Sequence, residues 1–169
     1  SCAIKARFNP MMPGTKTATL SVTGDPGGTA VAPLSGTGVP PGTLTITPPT
    51  HDFGAVVMGM MSATQVFTVT NPGGSATSAL TSAVSDSANF SIVADTCTGP
   101  LASGASCMVT ARFNPVATGG LVGSLTVSAT TGGTAAAAAI GQGLSVATLE
   151  VTPGSTNFGP VVVNGQSAT

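Results

Sequence analysis

The sequence has no tryptophan and no tyrosine, and only 5% of its residues are charged. Without indole and phenol rings, the usual stacking platforms for sugars are missing, and the core must be made of small aliphatic side chains and six Phe. Basic residues number four, Lys5, Arg7, Lys16 and Arg112. They cannot neutralise a run of phosphates, which excludes nucleic acid as a partner. No lysine follows Lys16, so a lysine–asparagine crosslink cannot form within the later part of the chain. Long apolar runs are also missing. The uncharged stretch from Phe113 to Leu149 is interrupted by Gly, Ser, Thr and Pro, leaving no segment of about twenty apolar residues for insertion into a membrane.

What is present points to a folded chain. Hydrophobic residues make up 41%, mean hydropathy is positive and the formal net charge is −1, the reverse of the polar, highly charged profile of disorder. Gly and Pro, 23 and 13 of 169 residues, punctuate the chain into short segments.

The chain repeats itself. Shifted by 105 positions, 28 of 64 overlapping residues are identical, without a gap. Ser1-Cys2 falls on Ser106-Cys107, Arg7-Phe8-Asn9-Pro10 on Arg112-Phe113-Asn114-Pro115, Gly27-Gly28-Thr29-Ala30 on Gly132-Gly133-Thr134-Ala135, and Phe53-Gly54 on Phe158-Gly159. The repeat divides the chain into the end of one unit (1–42), a complete unit (43–143) and the beginning of a third (144–169). A period near 100 residues is too long for helical solenoid repeats and suits a string of β-sandwiches.

Local patterning agrees. Cys107, Val109, Ala111 and Phe113 alternate with Met108, Thr110 and Arg112, as in a half-buried strand. Further strands are expected over Thr43–Thr47, Phe53–Val57, Gln65–Thr70, Ala76–Val84, Phe90–Val93, Leu121–Ala129 and Thr134–Ile140, with turns at Pro48-Pro49, Asn71-Pro72-Gly73-Gly74 and Asn114-Pro115. The run Ala135–Ala139 has helical propensity. Its counterpart Ala30-Val31-Ala32-Pro33-Leu34 contains a proline that reads better in an edge strand, so both are assigned as strands. The expected fold class is all-β: tandem immunoglobulin-like antiparallel sandwiches, one complete and two partial.

Leu44-Thr-Ile-Thr-Pro48, Asp52-Phe53-Gly54, Val69-Thr70-Asn71 before a Gly-rich turn, the Cys97 to Cys107 segment and Arg112-Phe113-Asn114-Pro115 occur in order and at fitting spacing. Together they resemble the choice-of-anchor D repeat, which is similar to the ASH (abnormal spindle and hydin) type of immunoglobulin-like domain. The resemblance covers the whole chain. It implies a seven-stranded sandwich, usually repeated, in large secreted or surface proteins with a structural or adhesive role, and it carries no catalytic residues. Phe53, Gly54, Asn71, Arg112, Phe113, Asn114 and Pro115 are the expected structural positions of the repeat.

Cys97 and Cys107 lie in one unit, whereas the Cys97 counterpart of the first unit would precede Ser1. A Cys97–Cys107 disulfide is expected, with Cys2 unpaired; the alternative is two reduced, buried thiols in a reducing compartment. No metal or cofactor site is expected, because the single histidine, His51, lies in a predicted solvated turn without further ligands. It is not expected to act as a general base, having Thr156 as its counterpart and no marked nucleophile nearby. Asp25, Asp52, Asp86, Asp95 and Glu150 are scattered, giving no paired-carboxylate or calcium pattern. Arg112 and Arg7 are expected to have a structural job, such as bonding loop carbonyls, rather than to recognise a ligand. Met58-Gly59-Met60-Met61 reads as a loop or domain-contact surface rather than a soft-metal site. Asn89-Phe90-Ser91 is a glycosylation sequon around a core-like Phe.

These residues predict no enzyme. They point to a structural or adhesive spacer at a bacterial cell surface or in a secreted protein, in contact with neighbouring repeats, other surface proteins or glycans. The alternatives are a carbohydrate-binding accessory domain of an extracellular enzyme and an intracellular ASH-like scaffold.

Overall fold

The structure, a computed structural model, describes residues 2–167. Ser1, Ala168 and Thr169, the outermost positions of the expected first and third units, lie outside the described residues. Ten strands and no helix occur among the described residues. Strands β1 (Gly14–Gly24) and β2 (Gly28–Gly38) form a hairpin. Eight strands then build two four-stranded sheets: β3 (Thr45–Thr47), β4 (Thr50–Val57), β5 (Gln65–Thr70), β6 (Thr81–Val84), β7 (Phe90–Asp95), β8 (Ser106–Phe113), β9 (Gly119–Ala129) and β10 (Gly133–Leu144). One sheet has the order β3-β5-β8-β7 and the other β4-β10-β9-β6. This is the immunoglobulin arrangement, with the first strand divided between the two sheets.

Alternation creates the core. On β8, Val109, Ala111 and Phe113 are buried while Met108 faces out. Val109 and Ala111 meet Phe67 and Val69 of β5, Leu125 and Val127 of β9 and Ala137 of β10 in one cluster, and Phe113 meets Phe90 of β7 and Ala139 of β10 in a second, so the sheets pack face to face. Phe67, Phe90 and Phe113 are the largest fully buried side chains, and each contributes roughly 1.5–3 kcal/mol by leaving water.

The alanine run is extended, as expected. Within β10 every residue pairs with β9 or β4 or both, and its inward positions are Ala135, Ala137, Ala139, Gly141 and Gly143. Small residues are needed there because the Phe113 ring lies where a Gly141 Cβ would be; likewise the Phe90 ring lies against Gly123 of β9. Packing overrides helical propensity.

Three expectations need correction. The sandwich is not wholly antiparallel, because β4 runs parallel to β10. Pro48 and Pro49 separate β3 from β4 and carry the chain to the second sheet, where the Ala138 N–H donates to the Pro49 carbonyl. β4 consequently begins at Thr50 rather than Phe53, which removes His51 from a turn. Of Ala76–Val84, only Thr81–Val84 joins a sheet ladder. Thr77 N–H donates to the Leu101 carbonyl and Ser78 N–H to the Thr131 carbonyl, which satisfies this backbone outside the ladder.

The sequence repeat has a counterpart in the pairing. The eleven Cα pairs from Gly14↔Gly38 to Gly24↔Gly28 become, after the 105-residue shift, the eleven pairs from Gly119↔Gly143 to Ala129↔Gly133. Gly28 and Gly133 both have positive φ, 74° and 76°, which a side chain would strain.

Candidate functional site

Asn71 organises the end of the sandwich that receives the chain from the hairpin. Following β5, its side chain is completely buried, and all four of its hydrogen-bonding positions are used. Oδ1 accepts from Thr43 N (3.0 Å) and Gly73 N (3.0 Å), while Nδ2 donates to the carbonyls of Ser75 (2.8 Å) and Leu101 (2.9 Å). A satisfied buried amide of this kind favours one arrangement of several loops. Gly73 and Gly74 lie so close to Pro41 and Pro40 that neither leaves room for a Cβ. The segment between hairpin and sandwich is thereby held against the loop after β5.

The Arg112-Phe113-Asn114-Pro115 motif ties β8 to its surroundings. Phe113 exchanges two bonds with Ser62, donating N–H to Oγ (3.0 Å) and accepting from Ser62 N (2.9 Å). Asn114 Nδ2 donates to the Ala88 carbonyl (3.2 Å), and its Oδ1 accepts from Ser91 Oγ (2.9 Å). The Pro115 carbonyl accepts from Gly59 N (3.1 Å). Arg112 Nε donates to the Ser91 hydroxyl of β7 (3.4 Å), a contact within the domain to a side chain rather than to a loop carbonyl. Strand pairing places Ser91 directly opposite Arg112.

On β4, Phe53 contacts both core clusters, and its ring centroid lies 6.1 Å from Phe90 and 6.4 Å from Phe113. Gly54 has φ 75° and donates its N–H to Asp52 Oδ1 (2.8 Å). His51, expected in solvent, instead meets Phe53 edge to face at 4.6 Å. Two other acids also hold backbone N–H groups, Asp86 that of Asn89 and Asp95 that of Cys97. Among the described residues, no three His, Cys, Asp or Glu side chains come together as metal ligands would.

Cys97 and Cys107 are joined by a disulfide with Cα atoms 5.2 Å apart, linking the segment after β7 to the start of β8. It lies alongside one sheet and does not bridge the two. Cys2 is free and exposed. Asn89 of the sequon is buried, with Nδ2 donating to Asp86 Oδ2 (2.9 Å) and Oδ1 accepting from Val116 N (2.9 Å), so the folded chain does not present it for glycosylation. The Met58–Met61 segment is the loop after β4, with Met60 and Met61 largely exposed.

One cavity stands out among the described residues, a cleft of about 640 Å³ between residues 6–12 and the β1–β2 hairpin, lined by Phe8, Met11, Met12, Ala18 and Leu34 among others. Motif reading did not single these residues out. The signal was in the repeat: shifted by 105, Phe8, Ala18 and Leu34 become Phe113, Gly123 and Ala139, around which the aromatic cluster of the sandwich packs. No helix among the described residues is long and apolar enough to cross a membrane.

No protein-family model matches the chain, and no curated protein matches it. Solved structures do show similarity. The secreted serine protease VesC from Vibrio cholerae is 30% identical over 57% of this chain, with a TM-score of 0.45; the chain spans only 22% of that protease. The ASH/PapD-like domain 7 of human CEP192 is 15% identical over 62% of this chain and 87% of the domain, at 0.47. Domains 4 and 5 of the S-layer protein SbsC are 17% identical over 80% of this chain and 60% of theirs, at 0.42. All three scores are below 0.5, and the assignment to an all-β, immunoglobulin-like sandwich comes from the chain's own strand order.

Proposed function

We propose that the chain is a non-enzymatic spacer from a secreted or cell-surface protein in which sandwiches follow one another in series. In this reading residues 1–42 close one unit, 43–143 form a whole unit and 144–169 open the next. The observation that carries it is the parallel pairing of β4 with β10, the second and the last strands of the central sandwich. Pulling the chain at its ends draws β4 and β10 in opposite directions along their axes. The ladder from Ala138↔Thr50 to Leu144↔Val57 is then loaded in shear, all bonds together, rather than opened one at a time. The Asn71 network and the close approach of Pro40 and Pro41 to Gly74 and Gly73 support the same role by fixing the entry to the unit. A disulfide suits an oxidising compartment, outside the cell or in the periplasm. Adhesion in such an array arises from many weak contacts made by Thr- and Ser-rich faces with neighbouring proteins or glycans.

Single-molecule stretching of the full chain tests this. The expected trace shows one discrete high-force event with a gain in contour length on the order of 300 Å, the extended length of the sandwich outside its disulfide loop. Gradual extension without such an event defeats the spacer reading. A glycan array run in parallel separates adhesion from sugar recognition. Reproducible binding to one polysaccharide class assigns the chain instead as a carbohydrate-binding accessory domain.

A further inference from the structure

Residues that many proteases recognise are kept out of the loops of the central unit. Proteases of the trypsin and chymotrypsin kinds cut after a side chain that fills a deep specificity pocket, a cation in the first case and an aromatic ring in the second. They act at exposed loops, because a paired strand must leave its sheet before it can enter an active site. Residues 43–143 carry one basic residue, Arg112, and four aromatic ones, Phe53, Phe67, Phe90 and Phe113. All five lie in β4, β5, β7 and β8. The connecting segments 48–49, 58–64, 71–80, 85–89, 96–105, 114–118 and 130–132 contain no Lys, Arg, Phe, Tyr or Trp.

We infer that the central unit is shielded against proteases specific for cationic or aromatic side chains, because every residue they recognise is confined to a paired strand. Arg112 shows how. Its strand β8 lies inside the sheet, between β5 and β7, and Arg112 itself pairs with Ser91. On the other side of the bond that would be cut, the Phe113 N–H and carbonyl are both bonded to Ser62. The Arg112 side chain is drawn along the sheet to the Ser91 hydroxyl. Phe67, Phe90 and Phe113 are fully buried, and Phe53 is half-buried against the last two.

The loops themselves are open to attack. Met60, Met61 and Ala63 are exposed in the segment after β4, and Ala102 is exposed in the segment before β8. A protease whose small pocket accepts alanine therefore finds sites, and the shielding is specific to the two classes named. The opening that cleavage requires also differs between loop and strand. A loop frays locally at little cost, whereas freeing Arg112 separates β8 from both neighbours, which approaches global unfolding. At ordinary domain stabilities this sets the two cleavage rates apart by roughly 1000-fold or more. The inference concerns only where cleavable residues stand, so it is independent of the spacer reading and of the stretching experiment that tests it.

Limited trypsin digestion of the folded full chain, read by mass spectrometry, tests this. Cleavage is expected only ahead of Thr17, after Lys5, Arg7 or Lys16, with the bond between Arg112 and Phe113 left intact. Across a urea series, cleavage after Arg112 is expected to appear together with the unfolding transition, as it must if the fold is what protects the bond. Two variants separate placement from scarcity. Met60→Arg puts a cation in an open loop and is expected to be cut there in the folded state, faster than at Arg112 by the factor given above. Met108→Arg puts one on the exposed face of β8 and is expected to resist as the parent chain does. Urea midpoints close to that of the parent establish that the variants are folded, and Thr68→Arg on β5 takes the place of Met108→Arg should the latter fail to fold. Cleavage of the folded parent after Arg112, resistance of folded Met60→Arg, rapid cutting of a folded strand variant, or an unfolded chain that stays whole at Arg112 overturns the proposal.

Discussion

Phe8 and Phe113 lie in the same way against two hairpins of identical register, over Gly36 and Gly141, yet Phe8 is 49% exposed and Phe113 is fully buried. The backbone contacts around them also correspond: Pro10 and Met12 crowd Gly38 as Pro115 and Ala117 crowd Gly143. What differs is the rest of the sandwich. Around Phe113 the neighbouring strand β7 brings Phe90 and the opposite sheet brings Phe53 of β4 and Val84 of β6, whereas around Phe8 there is the open cleft. Residues 145–167 extend the comparison downward, keeping the Asn157–Gly159 turn without any strand pairing. Turns need only their own few residues and a hairpin needs two strands. Burial needs both sheets.

The largest expected difference between the two regions is at the phenylalanines. Phe113→Ala should cost about 4 kcal/mol of sandwich stability, combining lost transfer energy with the cavity left behind. Phe8→Ala should change it by less than about 0.5 kcal/mol, as for a surface site. Urea unfolding followed by far-UV circular dichroism measures both, the chain having no Trp or Tyr to report by fluorescence. Comparable losses would show that the first hairpin shares the core of the sandwich and would end the distinction. Next in size is the disulfide. Reducing Cys97–Cys107 should cost about 2–3 kcal/mol, through the freedom regained by the unfolded chain. Cys2→Ser, at the position equivalent to Cys107, should leave the unfolding midpoint unchanged because Cys2 is free and exposed. A midpoint insensitive to reductant would leave the bond without an energetic role.

The same hierarchy explains what could be read from the sequence. The hairpins were legible because their register depends on local signals, Gly28 and Gly133 at the turns and strict alternation beside them. The parallel partner of β4 was not, since nothing within Thr50–Val57 distinguishes β10 from another neighbour. His51 read as a turn residue because it follows Pro48-Pro49 and precedes Asp52. Pairing with Ala139 and the edge of the Phe53 ring, both tertiary contacts, make it a strand residue. Asn71 was recognisable as a motif position, but its partners come from positions 43, 73, 75 and 101, which only the fold assembles. The cleft was legible only indirectly, through the repeat that places Phe8, Ala18 and Leu34 at the positions of Phe113, Gly123 and Ala139.

Two glycine substitutions sharpen the comparison at smaller scale. Gly141→Ala puts a methyl group against a Phe113 ring enclosed on every side, and overpacking of this kind should cost about 2 kcal/mol. Gly36→Ala meets Phe8 in the same way, but that ring is free to swing towards solvent, and the change should fall within about 0.5 kcal/mol.

The smallest effect concerns a turn alone. Gly59 has φ 79°, and its counterpart in the tail is Asn164 at φ 69°, so the repeat itself places asparagine in the same left-handed corner. Asparagine tolerates that conformation through local hydrogen bonding, whereas a β-branched side chain collides with the neighbouring carbonyl. Gly59→Asn should therefore leave stability within about 0.5 kcal/mol, while Gly59→Val should lose about 1–2 kcal/mol, both read from the urea midpoint. The comparison isolates backbone conformation from packing, because a Cβ at position 59 meets nothing within 4 Å. Equal losses for the two variants would mean that the site rejects any side chain, and the likeness of the two corners would then stop at the backbone angle.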